Sequence, residues 1–202
     1  MKVLERTENI DTEKYLNISS SAGVTSNVVT YDKYIELIID SLELRSKDRL
    51  LDLYFGMNPI TSFILDEAKV NYFALETSHK LVENATNRFK RNIAKRKALF
   101  SVFEENDIPY VNNFFNKILS INPRINNFEL LEYLNLTYQK LSEQGLMSLA
   151  FTIKSYEESL KLLECINVSP FAINDFMIFD VSMYHKSSEN HIKSVLFKLS
   201  KN

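Results

Sequence analysis

The sequence predicts a three-layer α/β sandwich, a mostly parallel seven-stranded sheet with helices on both faces and a C-terminal antiparallel hairpin. Three observations carry this. Apolar runs of strand length alternate five times with amphipathic helical stretches. The strands are continuous in apolar character, as in a sheet covered on both faces. The last two strand-like segments, "DFMIFDVSMYHK" and "HIKSVLFKLSK", are separated only by "SSEN", too short for a helical crossover, so they pair antiparallel.

Each element has its own signal. In "YDKYIELIIDSLEL", Ile35, Ile38, Ile39 and Leu42 form one helical face. "RLLDLYF" is a buried strand. Pro59 suits the first turn of the helix carried by "ITSFILDEAK". "NYFAL" is the second strand, and Ser78 is the N-cap candidate for the helix "SHKLVENATNRFKRN". "ALFSVF" and "FFNKILSI" are the third and fourth strands, the latter ended by Asn122 and Pro123. A long helix over "NNFELLEYLNLTYQKLSEQG" is predicted to end at Gly145 as its C-terminal cap. "LMSLAFT" is the fifth strand, and "SYEESLKLLECI" is a helix with a Ser/Glu capping pattern. Residues 1–30 are polar and weakly periodic, and "NISSSAGVTSN" reads as loop.

Composition narrows the function. A chain of 202 residues, 45% hydrophobic and 25% charged, suits one soluble globular domain. A net charge of −2 gives no global attraction to nucleic acid or acidic membranes. The single cysteine, Cys165, forms no internal disulfide. The N-terminus lacks a signal-peptide pattern, and no run approaches the roughly 18 to 20 apolar residues of a membrane span, so the expectation is cytoplasmic. Three glycines cannot build a full glycine-rich phosphate loop. The six cations of "RFKRNIAKRK" read as a solvated helix face, with only Arg88, Arg91 and Lys95 aligned. His79, His185 and His191 read as exposed or structural, and nothing has metal-ligand spacing.

In an open parallel sheet, ligands bind at the carboxyl ends of the strands. The candidates there are Asp52 to Asn58, Glu76, Glu104 to Ile108, and Ser120 to Asn122. A carboxylate ending the second strand, Glu76, suits both hydroxyls of a ribose. Glu104 and the 107–108 backbone suit an adenine edge.

These segments together resemble the class I S-adenosylmethionine-dependent methyltransferases of the small-molecule type, over roughly residues 31 to 199. "RLLDLYFGMNP" resembles their first motif, Asp/Glu-x-Gly-x-Gly-x-Gly after an apolar strand. "YFALETS" resembles the second, and "FEENDIPYVNNFFNKILSIN" the third-to-fourth strand stretch. "LTYQKLSEQGLMSLAF" resembles the helix, turn and fifth strand. The resemblance implies S-adenosylmethionine as cofactor, with Asp52, Tyr54, Gly56, Asn58, Glu76, Thr77, Glu104, Asp107, Ile108 and Ser120 around it. It implies a small-molecule substrate near Tyr15, Tyr31 and Asn122, with residues 1–30, including the loop 18–26, as an extension or lid on a domain over 31–202. No catalytic base stands out.

The departures lie in the first motif. Tyr54 stands at the first glycine position, Gly56 at the second and Asn58 at the third, and Asn116 replaces a frequent Asp. Two further readings follow: a degenerate member that binds or scaffolds, as a homodimer or beside another protein, and a different α/β enzyme with another nucleotide-like cofactor. Neither nucleic acid nor membrane is an expected partner.

Overall fold

The computed structural model describes residues 27–56, 59–104, 107–125, 129–182 and 191–201. The first segment is a short strand, β1 (Asn27–Thr30), that runs directly into α1 (Tyr31–Ser41). There follow β2 (Arg49–Leu53), α2 (Ile60–Glu67), β3 (Asn71–Glu76), α3 (His79–Arg88), α4 (Lys90–Ala94), β4 (Ala98–Val102) and β5 (Phe115–Ile121). The chain closes with α5 (Leu130–Lys140), β6 (Leu141–Thr152), α6 (Tyr156–Asn167), β7 (Ala172–Ser182) and β8 (His191–Ser200).

The strands form one sheet of order β1-β7-β8-β6-β5-β2-β3-β4, in which only the β6–β8 and β7–β8 pairings are antiparallel. Strand order reverses between β5 and β2, which pair in parallel through Leu50–Leu53 and Lys117–Ser120. The turn after β2 therefore sits at the switch point of the sheet.

The expected class holds, with one strand more than the seven expected. β1 lies at the end of the polar, weakly periodic residues 1–30, for which no strand is expected, pairs in parallel with Phe179–Ser182 of β7, and is too short at four residues to show a periodicity. Thr30 then caps α1, accepting a hydrogen bond from the Lys33 N–H at 3.3 Å.

Side-chain alternation builds the two outer layers. Leu51, Leu53, Ile118, Met147, Leu149, Val195 and Phe197 face α5 and α6, which contribute Leu134, Leu162 and Ile166. Leu50, Leu119, Ala150 and Leu196 face the opposite way, against Ile35 and Ile38 of α1 and Ile60 and Ile64 of α2. The strand residues are buried on both faces, which explains their continuous apolar runs. Ser78 and Ser155 cap α3 and α6 as expected, accepting from the N–H groups of Leu81 and Glu158.

One expectation fails. The helix before the fifth strand stops at Lys140, and Gly145 lies inside β6. A Cβ at Gly145 would fall 2.6 Å from the Leu141 side chain and 2.7 Å from the Ser142 carbonyl. The glycine thus permits a close backbone fold where the β5–β6 register slips from Phe115↔Leu141 to Lys117↔Leu146. Gln144, with φ of 59°, takes the left-handed conformation in its place.

Lys201 secures this irregular corner. Only 7% exposed, its ammonium donates to Asn113 Oδ1 at 2.6 Å and to the carbonyls of Leu141 and Tyr138 at 3.0 and 3.3 Å, and lies 4.7 Å from the Tyr138 ring centroid. Hydrogen bonds from a buried charge are the stronger kind. Lys201→Ala is expected to lower stability by about 2–3 kcal/mol, read as a reduced urea midpoint at unchanged slope; an unchanged midpoint would show that the corner holds without it.

Candidate functional site

Every strand of the sheet except β4 sends its end, or the residue just beyond, to one cavity of about 330 Å³. Tyr54 and Gly56 follow β2, Glu76 ends β3, Ile121 and Asn122 end β5, and Thr152 ends β6. α1 adds Tyr31 and Tyr34, and β7 and β8 add Val181, Ile192 and Ser194. This is the position and size of a small-molecule site.

Among the described residues, the turn after β2 has two with positive φ, Tyr54 at 58° and Gly56 at 55°. A Cβ at Gly56 would meet nothing closer than the Tyr54 carbonyl at 3.7 Å, so its importance lies in conformation. Tyr54 is the unusual member, since bulky residues rarely hold this conformation. Three contacts compensate. Its N–H donates to the Leu75 carbonyl at 2.9 Å, and its ring, 4% exposed, packs edge-on against Phe103 at 5.3 Å and tilted against Tyr133 at 6.3 Å.

Glu76 is 1% exposed, and its carboxylate gathers four donors. Oε2 accepts from the Gly56 N–H at 3.2 Å. Oε1 accepts from the Thr77 N–H and hydroxyl at 3.0 and 3.3 Å and from the Ser78 N–H at 3.4 Å. These donors match the acceptor capacity of a carboxylate. The carboxylate also lies at the start of α3, where helix polarity favours negative charge.

Asp52 lies under the cavity. It is 1% exposed and accepts a short hydrogen bond from the Tyr72 hydroxyl, which also contacts Thr61 Oγ1 at 3.0 Å. Burial lifts its carboxyl from the ordinary 3.8 to about 7; the Tyr72 hydrogen bond opposes this and the Glu76 charge adds to it. Burial likewise raises the Tyr72 phenol well above its usual range.

The other expected residues divide. Tyr31, Tyr54, Gly56, Glu76 and Asn122 come together at the cavity. Thr77 stands beside them through Glu76. Glu104 and Asp107 are exposed partners of a small bridge, and Ile108 is buried in the core beyond the Tyr54 ring. Ser120 is buried and accepts from the Tyr133 hydroxyl at 2.6 Å. None of Asp52, Glu104, Asp107, Ile108 and Ser120 lines the cavity. Tyr15, the loop 18–26, Asn58 and His185 lie outside the described residues. His79 and His191 are exposed, away from the cavity lining.

The sequence reading missed Tyr34, Arg124, Thr152 and Ser194. Tyr34 follows Tyr31 at helical spacing and was findable on that ground. Its hydroxyl makes a short hydrogen bond to Ser194 Oγ, which donates onward to the Phe151 carbonyl at 2.9 Å. The Tyr34 phenol is pushed up to about 12 by burial, with the Ser194 bond opposing. This chain of groups ends on a carbonyl and offers no base. Among the described residues, Glu76 is the cavity's single carboxylate and Arg124 its single cation. No group of three or more His, Cys, Asp or Glu among the described residues has the arrangement of a metal site, and no described helix is long and apolar enough to cross a membrane.

The donor set suits a nucleoside cofactor in part. A carboxylate at the end of β3 and a positive-φ glycine beside it are the groups a ribose and an approaching ligand backbone require. The space beyond them, toward Phe103 and Ile108, is filled by the Tyr54 ring.

No family model matches the chain. Among curated proteins it is similar to the 23S rRNA (uracil(1939)-C(5))-methyltransferase RlmD of Acinetobacter baumannii, at 26% identity over 114 residues, covering 53% of this chain and 24% of that protein. The matched stretch thus spans about a quarter of the length of that relative. Among solved structures, the [4+2]-cyclase SpnF superposes with a TM-score of 0.73 at 13% identity, covering 94% of this chain and 93% of that one. Geranyl diphosphate C-methyltransferase from Streptomyces coelicolor A3(2), solved with Mg2+, geranyl diphosphate and S-adenosyl-L-homocysteine, gives 0.68 at 9% identity, covering 85% and 80%. The likeness is one of fold: the chain has the class I S-adenosylmethionine-dependent methyltransferase fold.

Asp52 gives the site a pH signature. Its native carboxyl holds a proton up to about pH 7 that the unfolded chain releases near 3.8. Between those values the native state binds the extra proton, so stability falls as pH rises, by up to about 1.4 kcal/mol per pH unit. Asp52→Asn keeps an acceptor for Tyr72 and carries no charge. The variant should flatten this slope in melts taken from about pH 5 to 8; parallel curves for the two proteins would refute it.

Proposed function

We propose that the chain is an S-adenosylmethionine-dependent methyltransferase acting on a small molecule. The observation that carries this is the cavity at the switch point, bounded by the Gly56 turn, the Glu76 carboxylate and the ends of β5, β6 and β8. The fold neighbours support it, one of them a methyltransferase solved in complex with S-adenosyl-L-homocysteine.

In this reading Glu76 receives the ribose hydroxyls, exchanging donors it now takes from Gly56 and Thr77. Gly56 lets the backbone approach the ligand. The bound cofactor supplies an electrophilic methyl group. Tyr31, Tyr34 and Ile35 on one side and Thr152 and Ser194 on the other orient the substrate and exclude water. No described cavity group is free to remove a proton. The substrate nucleophile is therefore one that needs no general base, such as a free amine or a thiolate.

The curated relative is named for methylation of a uracil carbon in RNA. An electron-poor ring carbon of that kind must first be activated by a nucleophile adding to its neighbour. Cys165, the chain's single cysteine, is on α6, outside the cavity lining, with its thiol raised by burial. The small-molecule reading is favoured for this reason.

A second reading has a specific observation behind it. Tyr54 closes the space toward Phe103, which favours a protein of this fold that no longer transfers methyl groups and acts by binding, as a homodimer or beside another protein. The fold also carries other functions, as in the [4+2]-cyclase SpnF.

Calorimetric titration with S-adenosylhomocysteine separates the two. Methyl transfer predicts binding to the wild type, weakened about tenfold or more in Glu76→Gln, 1.4 kcal/mol being tenfold. Tyr54→Gly should bind more tightly, although it loses stability by about 2–3 kcal/mol, because a buried aromatic contributes more than the strained backbone costs. Heat from Tyr54→Gly alone would favour the second reading with Tyr54 as the closing group. No heat from either protein would remove the cofactor from both.

A further inference from the structure

A second cavity, of about 340 Å³, opens at the opposite end of the sheet, where β2, β3 and β4 begin. The strands between the two sites are five or six residues long, so the cavities stand about 17–20 Å apart. Arg49, the first residue of β2, lines the second one together with Arg96 and Lys97 of the turn before β4. Phe73, Ile93 and Leu99 supply apolar walls, and Leu99 is 44% exposed although large and apolar.

Three features of this cavity ask for an anion. First, the three charged residues lining it are all cationic, and among the described residues none of them has a carboxylate within 4.0 Å. Like charges gathered around one hollow repel unless an anion joins them. Second, Nε of Arg49 is buried and has no hydrogen-bond partner among the described residues. A buried donor left unsatisfied is costly, and each such group calls for an explanation. Third, the Arg49 guanidinium lies over the Phe114 ring, 4.8 Å from its centroid. That contact holds the cation beside an aromatic ring, and the N–H groups of a guanidinium match the oxygens of an oxyanion.

The surroundings strengthen the field. Residues 88–102 contain six cations, Arg88, Lys90, Arg91, Lys95, Arg96 and Lys97, and no Asp or Glu, in a chain whose net charge is −2. The cations of α4 and the following turn are exposed. Arg96 holds the left-handed conformation with φ of 56°, and the backbone N–H of Lys97 is fixed on the Asn92 carbonyl at 2.9 Å. The turn is thus held in shape with its charged side chains in water and at the cavity.

We propose that this cavity binds a phosphate group carried on an organic body, with Arg49, Arg96 and Lys97 on the phosphate and Phe73, Ile93 and Leu99 against the body. A free mononucleotide and the phosphorylated end of a nucleic-acid strand offer the same chemistry. The concave shape favours the free molecule, since a strand backbone alone would need only the exposed basic turn. The site is separate from the Gly56–Glu76 cavity and stands whether or not that cavity holds a cofactor.

The test is a titration of the 15N-labelled protein with adenosine 5′-monophosphate, followed by NMR. Saturable shifts are expected at the Arg49 Nε–H and at the amides of Asn71, Arg96 and Lys97, with none on titration with adenosine. Arg96→Gly and Lys97→Ala, both at exposed positions, should each weaken binding by about tenfold, and Arg49→Gln should abolish it. Lys90→Ala, outside the cavity, should leave it unchanged. A 5′-phosphorylated RNA of about ten nucleotides binding more tightly than its unphosphorylated form would identify a strand end as the source. Binding of the mononucleotide alone would identify the free molecule. No saturable shift, equal shifts with adenosine, or equal loss in Lys90→Ala would each overturn the proposal.

Discussion

The carboxylate of Glu76 is the tie on which the site depends. It joins the turn after β2 to the end of β3 through the Gly56 N–H, and joins both to the start of α3 through Thr77 and Ser78. These segments meet beside the point where strand order reverses, and the Tyr54 N–H to the Leu75 carbonyl is the backbone bond that ties the turn to β3. A buried negative charge is tolerable only when surrounded by donors. The chain supplies four, and in doing so fixes the backbone that lines the cavity. The same bonds that build the turn occupy the group a ligand would use, so ligand binding and turn geometry are coupled.

The second acid of this region has the opposite fate. Asp52 lies on the sheet face toward α2, beneath the turn, where Tyr72 and Thr61 complete a small polar cluster within apolar surroundings. Two carboxylates on neighbouring strands thus divide. Glu76 is held by backbone N–H groups at the cavity. Asp52, with a single phenol donor and the Glu76 charge nearby, is pushed toward its protonated form. Strand alternation decides the difference. Glu76 ends its strand and turns into the site, whereas Asp52 stands one residue before the end of β2 and points into the layer.

Much of this was legible in the sequence, and the failures have physical causes. Apolar runs and helical periodicity located the strands and helices because both sheet faces are covered. Serine caps were recognised by local chemistry, and Ser78 and Ser155 perform it. Gly145 was misread because glycine after a helical pattern signals a cap, while here close packing on Leu141 requires it. β1 was missed because four residues carry no period and its partner, β7, lies about 150 residues away. In the site, Gly56, Glu76 and Asn122 followed from strand ends and order, and Tyr31 from the family resemblance. Ser194 did not, because β8 runs antiparallel and brings its beginning rather than its end to the cavity, a placement that no local pattern records; Thr152 ends the parallel β6 and obeys the same strand-end rule.

Tyr54 shows how one residue serves two demands. The turn after β2 needs a positive φ at this position, and glycine would meet it without strain. Tyrosine meets it at a conformational cost, and its ring returns stability by packing on Phe103 and Tyr133. That packing belongs to the core cluster that also contains Ile108, Leu130 and Leu134. The ring therefore extends the core into space that a glycine would leave open to the cavity. The core is larger and the cavity smaller by the same group, and a ligand that reaches toward Phe103 must displace it. If the proposed cofactor binds here, its affinity would be set by the free energy of moving Tyr54 as well as by contacts with Glu76, and the two contributions would oppose one another.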